Sequence, residues 1–326
     1  MKIAICIPTY NQGNYLEKAI RSAVNQTMSA YEIIVSNDCS TDDTYSILNQ
    51  LSKEIPNLKV IHQPINLGIV ANVNACLKKA DSDFIIRLDS DDILSPDYTE
   101  KMVKLMMEYP NAGYGHCAIQ EIDERGVFLN KRYLSRKNVF QNADEALHSA
   151  ILGYKVAANI LIYRRQALES VNFINASTNF AEDFYMVSQI SAKGYGNVYN
   201  REILAYYRVW TDSKMVRQKR KLSEIIGLRK VFEEVLEPAF KERSWNLKPI
   251  YKQKSNFASS QSDALSTKIY SDNEKQELKV ELLRLSNSFK TRFYIWLNLN
   301  GFGSVILLLS KTVHKIKMVL KKIVFK

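Results

Sequence analysis

Cysteine is scarce in this chain of 326 residues: Cys6, Cys39, Cys76 and Cys117 stand far apart, with no CxxC spacing. That pattern predicts neither a disulfide framework nor a zinc site, and it suits reduced thiols in a cytoplasmic compartment. Long apolar runs are also missing. No segment reaches the roughly 20 apolar residues that span a bilayer, and the opening MKIAICIPTYNQ, broken by Pro8 and Asn11, is too short for a signal peptide. There is no internal repeat. Acidic residues stop at Glu281, after which nine Lys and Arg follow.

The charge is therefore uneven. Residues 1–213 hold 21 Lys and Arg against 24 Asp and Glu, whereas residues 214–326 hold 24 against 10, which accounts for the net +11. The basic end is expected to seek an anionic surface. No recognition motif accompanies its charge, so nucleic acid is not an expected partner. With 46% hydrophobic and 24% charged residues the chain is an ordinary globular one. The charge shift predicts a catalytic domain over 1–213 and a helical region over 214–326, with the Ser-rich stretch 255–266 as a linker.

In the first hundred residues short apolar runs alternate with amphipathic stretches, the pattern of βα units around a mainly parallel sheet. Strands are predicted at 3–7, 31–36, 58–62 and 84–88, and helices at 16–26, 42–51 and 69–79. Three loops, 8–14, 37–41 and 89–92, then follow strand C-termini, the edge where open α/β sheets bind ligands. Beyond residue 112 short strands and turns are expected. Helices are predicted at 163–171 and 181–193, around a polar loop over 172–179.

Three acidic features carry chemistry. Asp89, Ser90, Asp91 and Asp92 put three carboxylates in four residues, a site for a hard ion such as Mg²⁺ or Mn²⁺ that bridges to a diphosphate; Asp92 or Ser95 starting a helix before Pro96 is the alternative. Asp38, in SNDCSTDD, can accept a hydrogen bond from a nucleobase N–H or form an Asx turn. Glu182 and Asp183 can supply a general base, or else satisfy a helix N-terminus.

Taken together, IPTYNQGNYLEKAIRSAVNQT, EIIVSNDCSTDDT, NLGIVANVNACLKKA, FIIRLDSDDILSPD and ILIYRRQALESVNF followed by AEDFYMVSQISAKG resemble the family 2 glycosyltransferases over about residues 1–213. The resemblance implies a GT-A fold: an α/β, Rossmann-like, mainly parallel mixed sheet flanked by helices. It implies that Pro8, Thr9 and Tyr10 line a nucleobase pocket, that Asp38 contacts the base, usually uracil, and that Asn66, Gly68 and Asn72 shape the donor pocket. Asp89 and Ser90 would lie against the donor, Asp91 with Asp89 would bind Mn²⁺ or Mg²⁺, and Asp183 would be the catalytic base with Glu182 beside it. The implied activity is inverting transfer from a nucleotide-sugar, such as a UDP-sugar, to a hydroxyl of a lipid-linked surface glycan of the O-antigen, capsule or lipopolysaccharide type.

The chain departs from the family pattern in three places. The Gly of Asp-Asp-Gly-Ser is replaced by Cys39. The residues after the acidic pair are Phe184, Tyr185, Met186 and Val187. Trp210 stands where His is common, so that Arg208 or Lys214 is expected to supply the missing charge. A sugar nucleotidyltransferase would need a Gly-rich, Arg-containing loop in place of IPTYNQGNY, and a non-catalytic scaffold would not need three intact acidic sites.

On a helical wheel Val305, Ile306, Leu309, Val313, Ile316, Leu320, Ile323 and Val324 gather opposite Lys311, Lys315, Lys322 and Lys326. This tail is expected to lie in an anionic leaflet, peripheral on the inner face of the cytoplasmic membrane, with Phe293, Tyr294, Trp296 and Phe302 as anchors. The alternative is packing of its apolar face on the catalytic domain or a partner subunit.

Overall fold

Apolar runs too short to form helices of their own become buried strands: β1 (Ile3–Thr9), β2 (Glu32–Asn37), β3 (Leu58–His62) and β4 (Phe84–Arg87). In the computed structural model, which describes residues 1–136, 138–174, 180–210 and 218–303, these four pair in parallel in the order β3-β2-β1-β4. The crossovers are helices, as parallel pairing requires: α1 (Gly13–Val24), α2 (Thr44–Glu54) and α3 (Ile69–Lys79). In α1, Leu16, Ala19, Ile20 and Ala23 recur on one face, and all four are buried against the sheet.

The second half follows as β5 (Ile93–Leu94), α4 (Tyr98–Glu108), β6 (Ala112–Ile122), β7 (Phe128–Arg132), β8 (Phe140–Gln141), α5 (Ala143–Ala150), β9 (Leu161–Arg164), α6 (Arg165–Ser170), α7 (Glu182–Ala192) and β10 (Gly196–Arg208). The sheet continues from β4 through β9, β6 and β10 to β5, giving the mixed, GT-A-like sheet that was expected. Two expectations fail here. The region after residue 112 contains strands of 11 and 13 residues; β6 is buried along its whole length and so shows no in-out alternation to read. The helix expected at 163–171 starts only at Arg165, because Leu161, Ile162 and Tyr163 fill the slot between β4 and β6 as an antiparallel strand.

The C-terminal residues form α8 (Lys221–Lys230), a π-helical turn (Val231–Leu236), α9 (Glu237–Glu242), α10 (Lys248–Gln261), a 3₁₀ turn (Ser262–Ser266), α11 (Asp272–Leu285) and α12 (Phe289–Leu299). The linker expected at 255–266 is instead the end of α10 running into the 3₁₀ turn. Its serines satisfy themselves locally, Ser259 Oγ donating to the Ser255 carbonyl at 2.7 Å and Ser262 Oγ to that of Ser259 at 2.7 Å. Ser259 and Ser262, small and satisfied, are buried where α12 crosses, and Asn298 Nδ2 donates to Ser262 Oγ at 2.9 Å.

Apolar side chains form two cores, one per sheet face. One is built by α1, α2 and α4; the other takes in α3, α5 and α7 together with Ile225, Phe232, Leu236, Ile250, Leu278, Leu282 and Ile295 of the C-terminal helices. The expected domain boundary after residue 213 falls in 211–217, outside the described residues, as do Lys214 and the tail from residue 304.

The two regions pack tightly at Gly227 of α8. A Cβ there would stand 2.3 Å from the Phe180 carbonyl oxygen, on the turn that launches α7. In an exposed helix Gly→Ala stabilises by up to about 1 kcal/mol. Here Gly227→Ala is expected to lower stability by roughly 1–3 kcal/mol, read from urea denaturation midpoints at unchanged slope.

Candidate functional site

The three loops at the C-terminal ends of β1, β2 and β4 meet in one cleft of about 900 Å³. Pro8, Thr9, Tyr10, Asp38, Asn66, Gly68, Asn72, Asp89, Ser90 and Asp91 all line it, so the structure brings together every residue expected at the donor and metal sites. Glu182 and Asp183 are not on its wall. Both are buried, and Asp183 is joined to the cleft through Arg87, which does line it.

The first two loops are tied to each other. Asp38 N donates to the Thr9 carbonyl at 2.9 Å, Asn11 N to Ser40 Oγ at 2.9 Å, and Gly13 N to Asp42 Oδ2 at 2.9 Å. The loop is closed by Asn37, whose Oδ1 accepts from Ser40 N three residues on at 3.1 Å, and the Asx turn considered for Asp38 does not form. Cys39 occupies the left-handed region at φ +58°, a conformation glycine adopts freely. The turn thus survives loss of the family glycine, at a strain on the order of 1 kcal/mol.

Asp38 is buried and pins the third segment, its Oδ1 accepting from Leu67 N at 2.7 Å and its Oδ2 from Gly68 N at 3.0 Å. Each oxygen keeps a second lone pair for a ligand. Gly68 sits at φ +81°, ψ 165°, a region essentially reserved for glycine. Asn72 donates to the carbonyls of Thr9 and Ser36 at 3.3 and 3.0 Å and accepts from Ser36 Oγ at 2.6 Å. Its amide is fully used inside the wall, so it shapes the pocket. Thr9 Oγ1, by contrast, is buried without a partner.

At the end of β4 lies a residue that sequence reasoning missed. Arg87, 1% exposed, donates from Nε to Asp89 Oδ1 at 3.0 Å and from Nη1 to Asp183 Oδ1. Burial works against its charge, but Asp183 and then Asp89 outweigh that and hold its pKa well above the usual value. Its only signal was a lone charge inside FIIRL. Across the ion pair, burial raises the Asp183 pKa while Arg87 pulls it back. Glu182 is pushed up to about 7, by burial first and by the Asp183 charge second. The turn before them strains Ala181 into the left-handed region at φ +61°, so α7 opens with both carboxyl groups turned into the protein.

Asp92 starts no helix, since α4 begins at Tyr98. Its Oδ1 accepts from Arg208 N at 2.8 Å, and burial, followed by the charges of Asp91 and Asp89, drives its pKa well up. Arg208 does not supply a free charge to the cleft. Its guanidinium donates to the carbonyls of Asp91, Asp123 and Glu124 at 2.9, 2.6 and 3.3 Å and lies 4.5 Å from the Tyr15 ring centroid. A buried cation takes the nearest carbonyls, which no sequence pattern reveals. Trp210 packs edge-on to Tyr15 and donates from Nε1 to Asp91 Oδ2 at 2.8 Å. Arg220 and Ser223, at the start of the C-terminal helices, also line the cleft; neither was expected there.

Asp89 and Asp91 each keep one carboxylate oxygen that accepts no hydrogen bond from another of the described residues, and burial, then Asp89, raises the Asp91 pKa against the opposing pull of Trp210 and Arg208. Among the described residues no three His, Cys, Asp or Glu side chains gather as a metal cage. Two carboxylates suit Mg²⁺ or Mn²⁺ that completes its shell with water and substrate phosphates, so these residues fit such an ion.

The sequence profile described as Glycosyl transferase family 2 matches residues 4–171. The chain belongs to this family. It is 28% identical over 192 residues to a chondroitin synthase of Pasteurella multocida, an alignment covering 59% of this chain but only 19% of that one. It is 28% identical over 211 residues to a putative teichuronic acid biosynthesis glycosyltransferase of Bacillus subtilis, covering 65% and 80%. A Campylobacter jejuni GalNAc(5)-diNAcBac-PP-undecaprenol β-1,3-glucosyltransferase is 29% identical over 185 residues, 56% of each chain. Staphylococcus aureus TarS 1–349 shares the fold at a TM-score of 0.69 and 16% identity, over 96% of this chain and 92% of that one. A Pyrobaculum calidifontis mannosyltransferase, in complex with GDP-Man and Mn²⁺, shares it at 0.57 and 16% identity, over 94% and 86%.

Asp38→Ala would leave Leu67 N–H to solvent and Gly68 N–H with only its 3.1 Å bond to Asn66 Oδ1, at about 0.5–1.5 kcal/mol for each hydrogen bond lost in this partly exposed segment. Amide hydrogen exchange is expected to accelerate over residues 66–70, with exchange in β1 and β2 far less affected.

Proposed function

We propose that this chain is an inverting glycosyltransferase that moves a sugar from a nucleoside-diphosphate donor, of the UDP type, to a hydroxyl of a lipid-linked bacterial surface glycan. The observation that carries the reading is Arg87, which couples Asp89 on the donor side to Asp183 behind it. Thr9, Tyr10 and the Asp38-pinned segment take the nucleobase, and Asp89 and Ser90 the ribose side. A divalent ion held by Asp91 and Asp89, when bound, supplies positive charge to the diphosphate. Arg220, which has no ion-pair partner among the described residues, adds the charge that Trp210 cannot.

Arg87 occupies Asp183 Oδ1 and leaves Oδ2 to take the acceptor proton once the acceptor hydroxyl reaches behind the cleft wall. The acceptor oxygen then bonds to the anomeric carbon from the face opposite the leaving group. The carbon–oxygen bond to the diphosphate breaks, and its electron pair departs with the nucleotide. The glycan-assembly relatives favour a surface-glycan acceptor, and the basic tail favours a peripheral place on the inner face of the cytoplasmic membrane, with the anionic surface as partner.

NMR of the product is expected to show an inverted anomer; retention would contradict the role of Asp183. Asp183→Asn should lose about 10²–10⁴-fold in kcat, the usual range for a general base. Burial raises both Asp183 and Glu182, the latter to about 7, so kcat/KM should rise with pH as this pair of carboxyl groups ionises, and Glu182→Gln, which leaves the base in place, should shift this limb without abolishing it. The sign for stability is opposite. A carboxyl raised from 4.5 to about 7 keeps an extra proton in the folded chain, so the unliganded protein loses stability as pH climbs between those values.

A further inference from the structure

Aromatic side chains that could have been buried stand in a row on the outside of α12. Phe289, Phe293, Trp296 and Phe302 are 80%, 46%, 53% and 46% exposed. Their rings follow one another nearly in parallel, with centroids 6.3 Å apart at 5° between Phe289 and Phe293, 6.4 Å at 16° to Trp296, and 6.0 Å at 21° to Phe302. The row does not result from a loosely placed helix. Thr291, Ile295 and Asn298 bury the opposite face, Ser288 Oγ caps the start by accepting from Thr291 N at 3.1 Å, and Asn298 is bonded to Ser262. Positions 289, 293 and 296 share one helix face, so anchoring the inner face fixes the ladder outward. Tyr294, expected as an anchor with these residues, is only half-exposed, with Lys290 Nζ 5.9 Å from its ring centroid.

We infer that this ladder is a preformed membrane-docking face, seated in the interfacial layer of a bilayer bearing anionic headgroups. Charge decides among the occupants. No acidic residue follows Glu281, nine Lys and Arg do, and Arg292 beside the ladder is exposed with no carboxylate partner among the described residues. A second copy of this face would bring two such basic stretches together. A bilayer offers an apolar layer for the rings and negative charge for the cations at one boundary, where Trp and other aromatics partition. The sequence after Gly303 carries six further Lys. The inference deepens the membrane placement proposed above by naming the element that docks. Its readout is vesicle binding, so the reading of the donor site stands or falls separately.

The test is sedimentation of the full chain with vesicles of zwitterionic lipid alone and with a quarter of anionic phosphatidylglycerol, alongside quenching by lipids brominated along the acyl chain. Binding is expected only with the anionic lipid, to weaken with added salt, and to quench the fluorescence of Trp296 but not that of a Trp296→Phe variant. The variant Phe293→Ser/Trp296→Ser changes only exposed rings; it should bind at least about 10-fold more weakly, with an unchanged melting temperature. Phe289→Ser/Phe302→Ser provides a second, independent pair with the same expectation. Vesicle binding unaffected by both pairs would assign docking to the remaining basic chain and overturn the inference. Absence of vesicle binding, with light scattering showing a dimer that the ladder variants dissociate, would overturn it in favour of a self-association surface.

Discussion

A guanidinium sealed at the end of an apolar strand must be surrounded by negative charge, because an isolated buried ion costs several kcal/mol even after relaxation. Arg87 meets that condition with carboxylates from two distant parts of the chain, Asp89 immediately after β4 and Asp183 at the start of α7. Much of the site follows from this. Asp89 is held at one oxygen and left open at the other. Asp183 is fixed in orientation, and α7 must begin where its first turn reaches β4, at the expense of a left-handed Ala181. The C-terminal helices close around the same turn, with Gly227 against Phe180 and Tyr185 Oη donating to Glu234 at 2.9 Å. The helical region is in this sense part of the catalytic scaffold.

The parallel half of the sheet was legible because each βα unit announces itself twice, by a short apolar run and by a following amphipathic period. The 58–62 strand and the 69–79 helix have the bounds expected of them. Legibility fails where burial is complete. β6 and Leu161–Arg164 have no polar face to set a period, and the Ser-rich end of α10 reads as linker because sequence does not show that its hydroxyls bond back to their own helix.

The same division runs through the site. Loop residues read from the family's motifs converge on one cleft because they follow the C-terminal ends of neighbouring parallel strands, a consequence of topology alone. What the motifs did not convey is the supporting chemistry: Asp38 holding Leu67 and Gly68, Asp92 holding Arg208 N, Trp210 on Asp91, and Arg208 folded onto backbone carbonyls. These partners come from segments about 30 to about 120 residues apart, and side-chain type alone does not pair them. Arg87 was the one detectable clue, a charge where the strand pattern called for an apolar residue.

The coupling of Arg87 to Asp183 is measured most directly by a double-mutant cycle on unfolding free energy with Arg87→Met, Asp183→Asn and the pair. If the guanidinium and the carboxylate neutralise each other in the folded chain, Arg87→Met alone should cost roughly 3–5 kcal/mol. Adding Asp183→Asn should then recover part of that loss, with a coupling of at least about 1.5 kcal/mol. Two single effects that add to within about 0.5 kcal/mol would contradict the account, leaving Asp89 and Asp183 as independent sites.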